Sequence, residues 1–369
     1  MKVVTYIGTY TDATETGIHI LETDTETGAF RFVGVVRGMI NATYLVCSET
    51  RPVLYAVQGI MASGLTSPAG YVAAYRISDA TLTLLNRKPV TLTVPCHISL
   101  DAAETALAFA EYAHAVSGFC DLTPDGAFAD TPPVTVTHAG SGPDAHRQDK
   151  AHAHCVRITP DGKCLCIADL GLDRVLAYDW PHRRNGLSPV ADLTITTAPG
   201  AGPRHLVFHP NGRFAFLLNE LNNTLTAYRY TGDAFIPLHT RSTLPSDFHA
   251  FSKAAALKCS GDGRRLLASN RGHDSIAAFD VDPDSGRLDL LAISRLAGAG
   301  PRDFAFIPGE AFILAGHETS NTICSYAYDA ATGRLEPACG PQAIHRPVCI
   351  VFGRPVSERI DTPCGSRVS

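Results

Sequence analysis

A block of three short strands recurs along this chain at a spacing near 50 residues, and that period restricts the possible folds more than any other feature. The clearest copies run from His154 to Tyr178, His205 to Tyr228, Ala255 to Phe279 and Asp303 to Tyr326, with a weaker one from His97 to Phe119. Each opens with an apolar strand, turns on a stretch such as Pro160-Asp161-Gly162, and runs back as a second strand. A third strand then ends in an aromatic residue. His154 and His205 lie 51 residues apart, and the Gly-Pro-Arg motifs at Gly202 and Gly300 are 98 apart, two periods of 49. Strands beginning at Tyr44 and Arg346 fit the same register. First strands therefore start near 44, 97, 154, 205, 255, 303 and 346, which makes seven copies.

The strands are short, rich in Val, Ile, Leu and aromatics, and bounded by Gly, Pro, Asn and Asp. No stretch carries the length and 3.6-residue spacing of a substantial amphipathic helix. The expected fold is all-β, a seven-bladed propeller with four-stranded antiparallel blades. The last copy supplies one strand, RPVCIVF, and the N-terminal segments VVTYIGTY, GIHILETD and FRFVGVV supply the three it lacks. Pairing early and late strands in one blade closes the ring and removes an open sheet edge. Residues 1–355 are expected to form this one propeller, and 356–369 a C-terminal extension.

Composition excludes several function classes. A net charge of −5 argues against a nucleic-acid partner or an anionic membrane surface. No apolar run approaches the ~18 residues of a membrane span, and the first residues lack a signal-peptide pattern. The 11 cysteines are odd in number and contain no CxxC pair. They read as reduced structural thiols, Cys164 and Cys166 sharing one strand face. The expected compartment is the cytoplasm.

Aligning the copies on their closing aromatics brings one set of polar residues to the ends of the second strands: Asp169, Asn219-Glu220, Asn270-Arg271 and His317-Glu318, with Glu111 in the weaker copy. A second ring enters the first strands: His152 and His154, Arg204 and His205, Arg302 and Asp303, and Arg346. Together they can furnish an axial pocket with guanidinium clamps for a carboxylate or phosphate and with groups able to move protons. Each has a structural competitor. His152 and His154 could be satisfied core histidines or a metal pair, Arg204 and Arg302 could bond carbonyls between blades, and Glu220 could merely pair with Arg271. His114, His138, His182 and His239 fit no pattern and read as surface residues.

The segments YIGTYT, GSGPDAHRQDKAHAHCV, GAGPRHLVFHPNGRFAFLLNELNNTLTAY and SNRGHDSIAAFDVD resemble the lactonase family of seven-bladed propellers. That family includes propeller-type 6-phosphogluconolactonases and the fungal 3-carboxy-cis,cis-muconate lactonizing enzyme. The resemblance implies catalytic roles for His154, Glu220, Arg204 and Arg271. His152, His205, Asn219, Arg302 and His317 are expected to bind substrate. It implies no cofactor and no metal. The expected substrate is an anionic small molecule, and the expected reaction is hydrolysis of a sugar lactone, most naturally 6-phosphogluconolactone. Cofactor-independent muconate cycloisomerisation, a non-catalytic binding propeller and a metal-dependent lactonase are the rival readings. Three segments depart from the family pattern: YAVQG at 55–59, the insertion at 59–70, and AEYAHAV at 110–116. All three are expected to border the pocket.

Overall fold

The computed structural model describes residues 1–11, 17–62, 64–78 and 81–355. The extension expected at 356–369 lies outside them. The described residues form seven four-stranded antiparallel sheets. We number the blades by their innermost strands: Leu45–Cys47, His97–Leu100, Ala153–Ile158, Pro203–Phe208, Lys253–Cys259, Pro301–Phe306 and Pro347–Pro355. Each innermost strand touches the next, and the seventh touches the first, so the ring is complete.

Closure follows the pattern anticipated above. In blade 7, Pro347–Pro355 pairs antiparallel with Lys2–Thr9, which pairs with Ile18–Asp24 and then Phe30–Val36. Helix is confined to two three-residue 3-10 turns, Arg183–Asn185 and Ala191–Leu193, among the described residues.

The second strands read as continuous apolar runs because both faces of a blade are covered by its neighbours. In blade 4, Phe214, Phe216 and Leu218 pack toward blade 5, while Ala215 and Leu217 pack toward blade 3. Cys164 and Cys166 likewise share the face toward blade 4, and Leu165 and Ile167 take the opposite one. Seven apolar clusters result among the described residues, one at each blade interface. Removing aliphatic and aromatic surface from water at about 25 cal/mol per Å² is what holds the blades face to face. The axis is left to polar residues at the strand ends.

Candidate functional site

Blades 4 and 6 build their axial ends from the same parts. Gly202 and Gly300 sit at φ +65° and +69°, and a Cβ at either would run into Leu221 or Thr319. Their amides donate to Asp173 and Asp274 at 2.8 Å, two aspartates themselves held at positive φ in the preceding blade. Their carbonyls accept the amides of Glu220 and Glu318 at 2.7 and 2.9 Å. The Gly-Pro-Arg turn therefore brings Arg204 onto Glu220 and Arg302 onto Glu318, each pair 16 residues apart in sequence.

Around Glu220 the structure gathers three guanidinium groups. Arg204 Nε and Arg271 Nη2 reach its Oε2 at 2.9 and 3.0 Å, and Arg147 Nη2 donates to Oε1 at 2.6 Å. His154 Nε2 stands 3.9 Å from Oε2, too far for a hydrogen bond. Arg204 is pinned further by the Ala255 carbonyl and by His205 Nε2, and Arg271 by the Ala254 carbonyl at 3.0 Å. His154 Nδ1 and Arg271 Nε are buried with no hydrogen-bond partner.

Arg147 comes from the irregular loop between blades 2 and 3. There the buried Gln148 bonds the Leu170 carbonyl at 2.8 Å, while its amide and carbonyl close onto Asp144 and Gly142. The neighbouring wall, Tyr112 to His114, is pinned by buried Glu111, which accepts the Ala113 and His114 amides and the Thr93 hydroxyl.

These contacts set the protonation states. Burial alone would raise the Glu220 carboxyl, but Arg271, Arg204 and Arg147 hold it well below the usual carboxylate range. Burial, helped by Arg204, pushes the His154 imidazolium down, so the ring is neutral at pH 7. Burial also lowers Arg271, to about 10, despite Glu220 beside it. The site is thus an ionised carboxylate in a cationic cage beside a neutral imidazole.

A cavity of about 480 Å³ opens over this cluster, within the common range of about 300–1,000 Å³ for small-molecule sites. Its lining carries five cations, Arg147, Lys150, Lys253, Arg271 and Arg302, against one carboxylate, Glu220. The balance strongly favours an anionic occupant, although the whole chain is acidic. Among the described residues no group of three or more His, Cys, Asp or Glu is arranged to hold a metal ion.

Of the residues singled out in sequence, His154, Glu220, Arg271 and Arg302 line the cavity, and Arg204 lies directly behind Glu220. Glu220 and Arg271 do pair across adjacent blades, and they do so at the cavity wall. The others sit elsewhere. His205 is buried one layer below, its ring 6.0 Å from His154 and 5.7 Å from His97. His152 stacks on Tyr112 at 4.2 Å and donates from Nδ1 to its carbonyl. Asn219 bonds Thr224, and His317 lies against Thr322 and Tyr326. The reason is strand alternation: where Asn219 and His317 turn to brace the hairpin, the next residue turns to the axis.

Two histidines differ from the surface positions expected for them. His138 is buried, bonded to Asp169 at 2.7 Å, and His114 lines the cavity. Gln58, expected at the pocket, turns into its sheet to bond Tyr75 and is not among the lining residues. Met61 and Ala62 of the insertion, and Tyr112 to His114, do border it. Sequence reasoning singled out none of Arg147, Lys150 and Lys253, whereas Tyr112 lies within the 110–116 segment expected at the pocket. Lys253 had a legible signal, a lysine at the start of its first strand followed by four apolar residues. Arg147 and Lys150 had none within the repeat, because their loop has no counterpart in the other copies.

Comparison with known proteins agrees with this architecture. The family profile described as "Lactonase, 7-bladed beta-propeller" matches residues 4–352. A Bacillus subtilis protein named 6-phosphogluconolactonase is 33% identical over 355 residues, covering 95% of this chain and 98% of that one. A Formosa agariphila protein of the same name is 31% identical over 344 residues, covering 90% and 94%. The solved structure of a Pseudomonas aeruginosa periplasmic gluconolactonase superposes with a TM-score of 0.88 at 28% identity, covering 95% of this chain and 99% of that one. With the ring, the blade-to-blade register and this profile in agreement over almost the whole length, the chain belongs to the lactonase family of seven-bladed β-propellers.

Proposed function

We propose that this protein hydrolyses 6-phosphogluconolactone in the cavity above Glu220. The observation that carries the reading is the Glu220 cage: a buried carboxylate held by three guanidinium groups beside a neutral imidazole, at the floor of a cationic cavity. Two relatives bearing that enzyme's name add support.

Water is the only co-reactant. His154 is the general base, because Glu220, held far toward its ionised form, has little affinity for a proton. With its proton on Nδ1, the Nε2 of His154 takes a proton from water as the oxygen adds to the lactone carbonyl carbon. The 3.9 Å between Nε2 and Glu220 Oε2 lets one water touch both. The carbonyl oxygen becomes an oxyanion, stabilised by Arg271 with Arg204 behind it. Collapse breaks the bond from carbonyl carbon to ring oxygen, and His154 returns its proton to that leaving oxygen. Glu220 orients the arginines and steadies the transient imidazolium. The compartment is proposed to be the cytoplasm, in keeping with ten free thiols among the described residues.

The test is 6-phosphogluconolactone decay with purified protein, set against spontaneous hydrolysis and a His154→Asn variant. Acceleration that the variant loses by about 10²-fold or more supports the reading. An unchanged lactone lifetime sinks it, and loss of ultraviolet absorbance from a carboxymuconate would then move the assignment to a cycloisomerase.

A further inference from the structure

The cavity's cations fall into two kinds. Arg147 and Arg271 are committed to Glu220, and Arg302 donates to Glu318 at 3.2 Å. Lys150 and Lys253 line the same cavity, yet neither ammonium makes a hydrogen bond or ion pair among the described residues. Lys253 lies only over the ring of Phe251, at 5.7 Å, and that ring is 76% exposed. Depth separates the kinds as well. Glu220, His154 and Arg204 are buried at the floor, Lys253 is half-buried, and Lys150 is exposed at the rim.

We infer that Lys150 and Lys253 form a phosphate-monoester subsite at the rim, which selects phosphorylated over unphosphorylated lactones. The inference rests on the lactonase reading and adds to it the part of the substrate that each region holds. A sugar lactone phosphorylated on its exocyclic carbon carries its two polar ends apart, the carbonyl at one and the dianion at the other. The floor offers an oxyanion clamp and a base, and the rim offers two ammonium groups that no hydrogen bond or ion pair occupies among the described residues. A compact, rotatable ammonium suits a phosphate as a point charge and demands no fixed fork geometry. Burial and the nearby Arg271 weaken proton binding at Lys253, so an incoming anion relieves a repulsion already present in the empty cavity. Met61 in the cavity lining and Phe251 beside Lys253 add apolar surface next to that contact.

The test compares kcat/KM for 6-phosphogluconolactone and glucono-1,5-lactone in the wild type, Lys150→Met, Lys253→Met and the double variant. Calorimetric binding of inorganic phosphate, which needs no turnover, accompanies it. Each substitution is expected to lower the preference for the phosphorylated lactone by about 10-fold, and the double variant by about 10²-fold, as befits loss of charge-assisted contacts. Phosphate binding should weaken by a similar factor. Equal losses on both lactones, or no change in phosphate affinity, overturn the subsite while leaving the lactonase reading intact. A wild type that hydrolyses neither lactone, yet binds phosphate through these lysines, overturns the lactonase reading and keeps the subsite.

Discussion

Blades 4 and 6 carry the same Gly-Pro-Arg…Glu device, fixed by the same aspartate-to-glycine bonds, and they end in different places. Glu220 is 4% exposed and meets three arginines, Arg204 of its own blade, Arg271 of blade 5 and Arg147 of the loop between blades 2 and 3. Glu318 is 17% exposed and bridges Arg302 to Arg346, whose guanidinium groups pack over Tyr10 at 5.3 and 4.5 Å. The repeat places the arginine and the carboxylate, and residues outside the repeat decide what the pair becomes. Arg147 arrives on a loop with no counterpart, and Arg271 replaces the carboxylate that the neighbouring copies carry at that position. One repeat unit thus yields a buried cluster in blade 4 and a partly exposed brace in blade 6.

The contrast can be broken by measurement. The largest expected effect is on stability. Glu220→Gln leaves three guanidinium groups without their counter-charge in a buried site and should cost about 3–5 kcal/mol in denaturant unfolding. Arg271→Ala should lower kcat/KM on the lactone about 10²-fold, close to 2.7 kcal/mol, if it stabilises the oxyanion. An Arg271→Ala variant that stays fully active would reduce that residue to a structural partner of Glu220.

Acid should separate the axis from the rim. His97, His154 and His205 are all pushed below their ordinary value, first by burial and then by neighbouring cations. Their unfolded forms take up protons below about pH 6.5, where the folded forms do not. The stability they support is therefore present above that pH and is lost as pH falls toward their folded values. The slope is up to about 1.4 kcal/mol per pH unit for each ring. Urea midpoints measured between pH 7 and 5 should fall accordingly, and replacing His97 by Asn should flatten the slope. The smallest effect belongs to blade 6: Glu318→Gln sits in a partly solvated, screened pair and should cost less than about 1 kcal/mol in the same unfolding assay.

How much of this was legible in sequence follows from the same division. The ring, its seven blades and the closing blade are written in strand period and turn chemistry, because each copy must bury both faces against identical neighbours. Arg204, Glu220 and Arg271 were legible because they occupy repeat positions. Arg147 and Lys150 were not, since only the fold of the 140–152 loop around Gln148 aims Arg147 at Glu220. Asn219 and His317 stood beside the right positions, but a strand alternates faces, and the one-residue step that sends Glu220 and Glu318 axially turns their predecessors into the hairpin. His138 looked unpatterned because its partner, Asp169, is 31 residues away in sequence.

The most direct test sets the two copies side by side: kcat/KM for 6-phosphogluconolactone in the wild type, Glu220→Gln and Glu318→Gln, each confirmed folded by circular dichroism. The account predicts a loss of about 10³-fold for Glu220→Gln and no more than about threefold for Glu318→Gln. Equal losses in the two variants, or a folded Glu220→Gln protein that keeps wild-type activity, would contradict it.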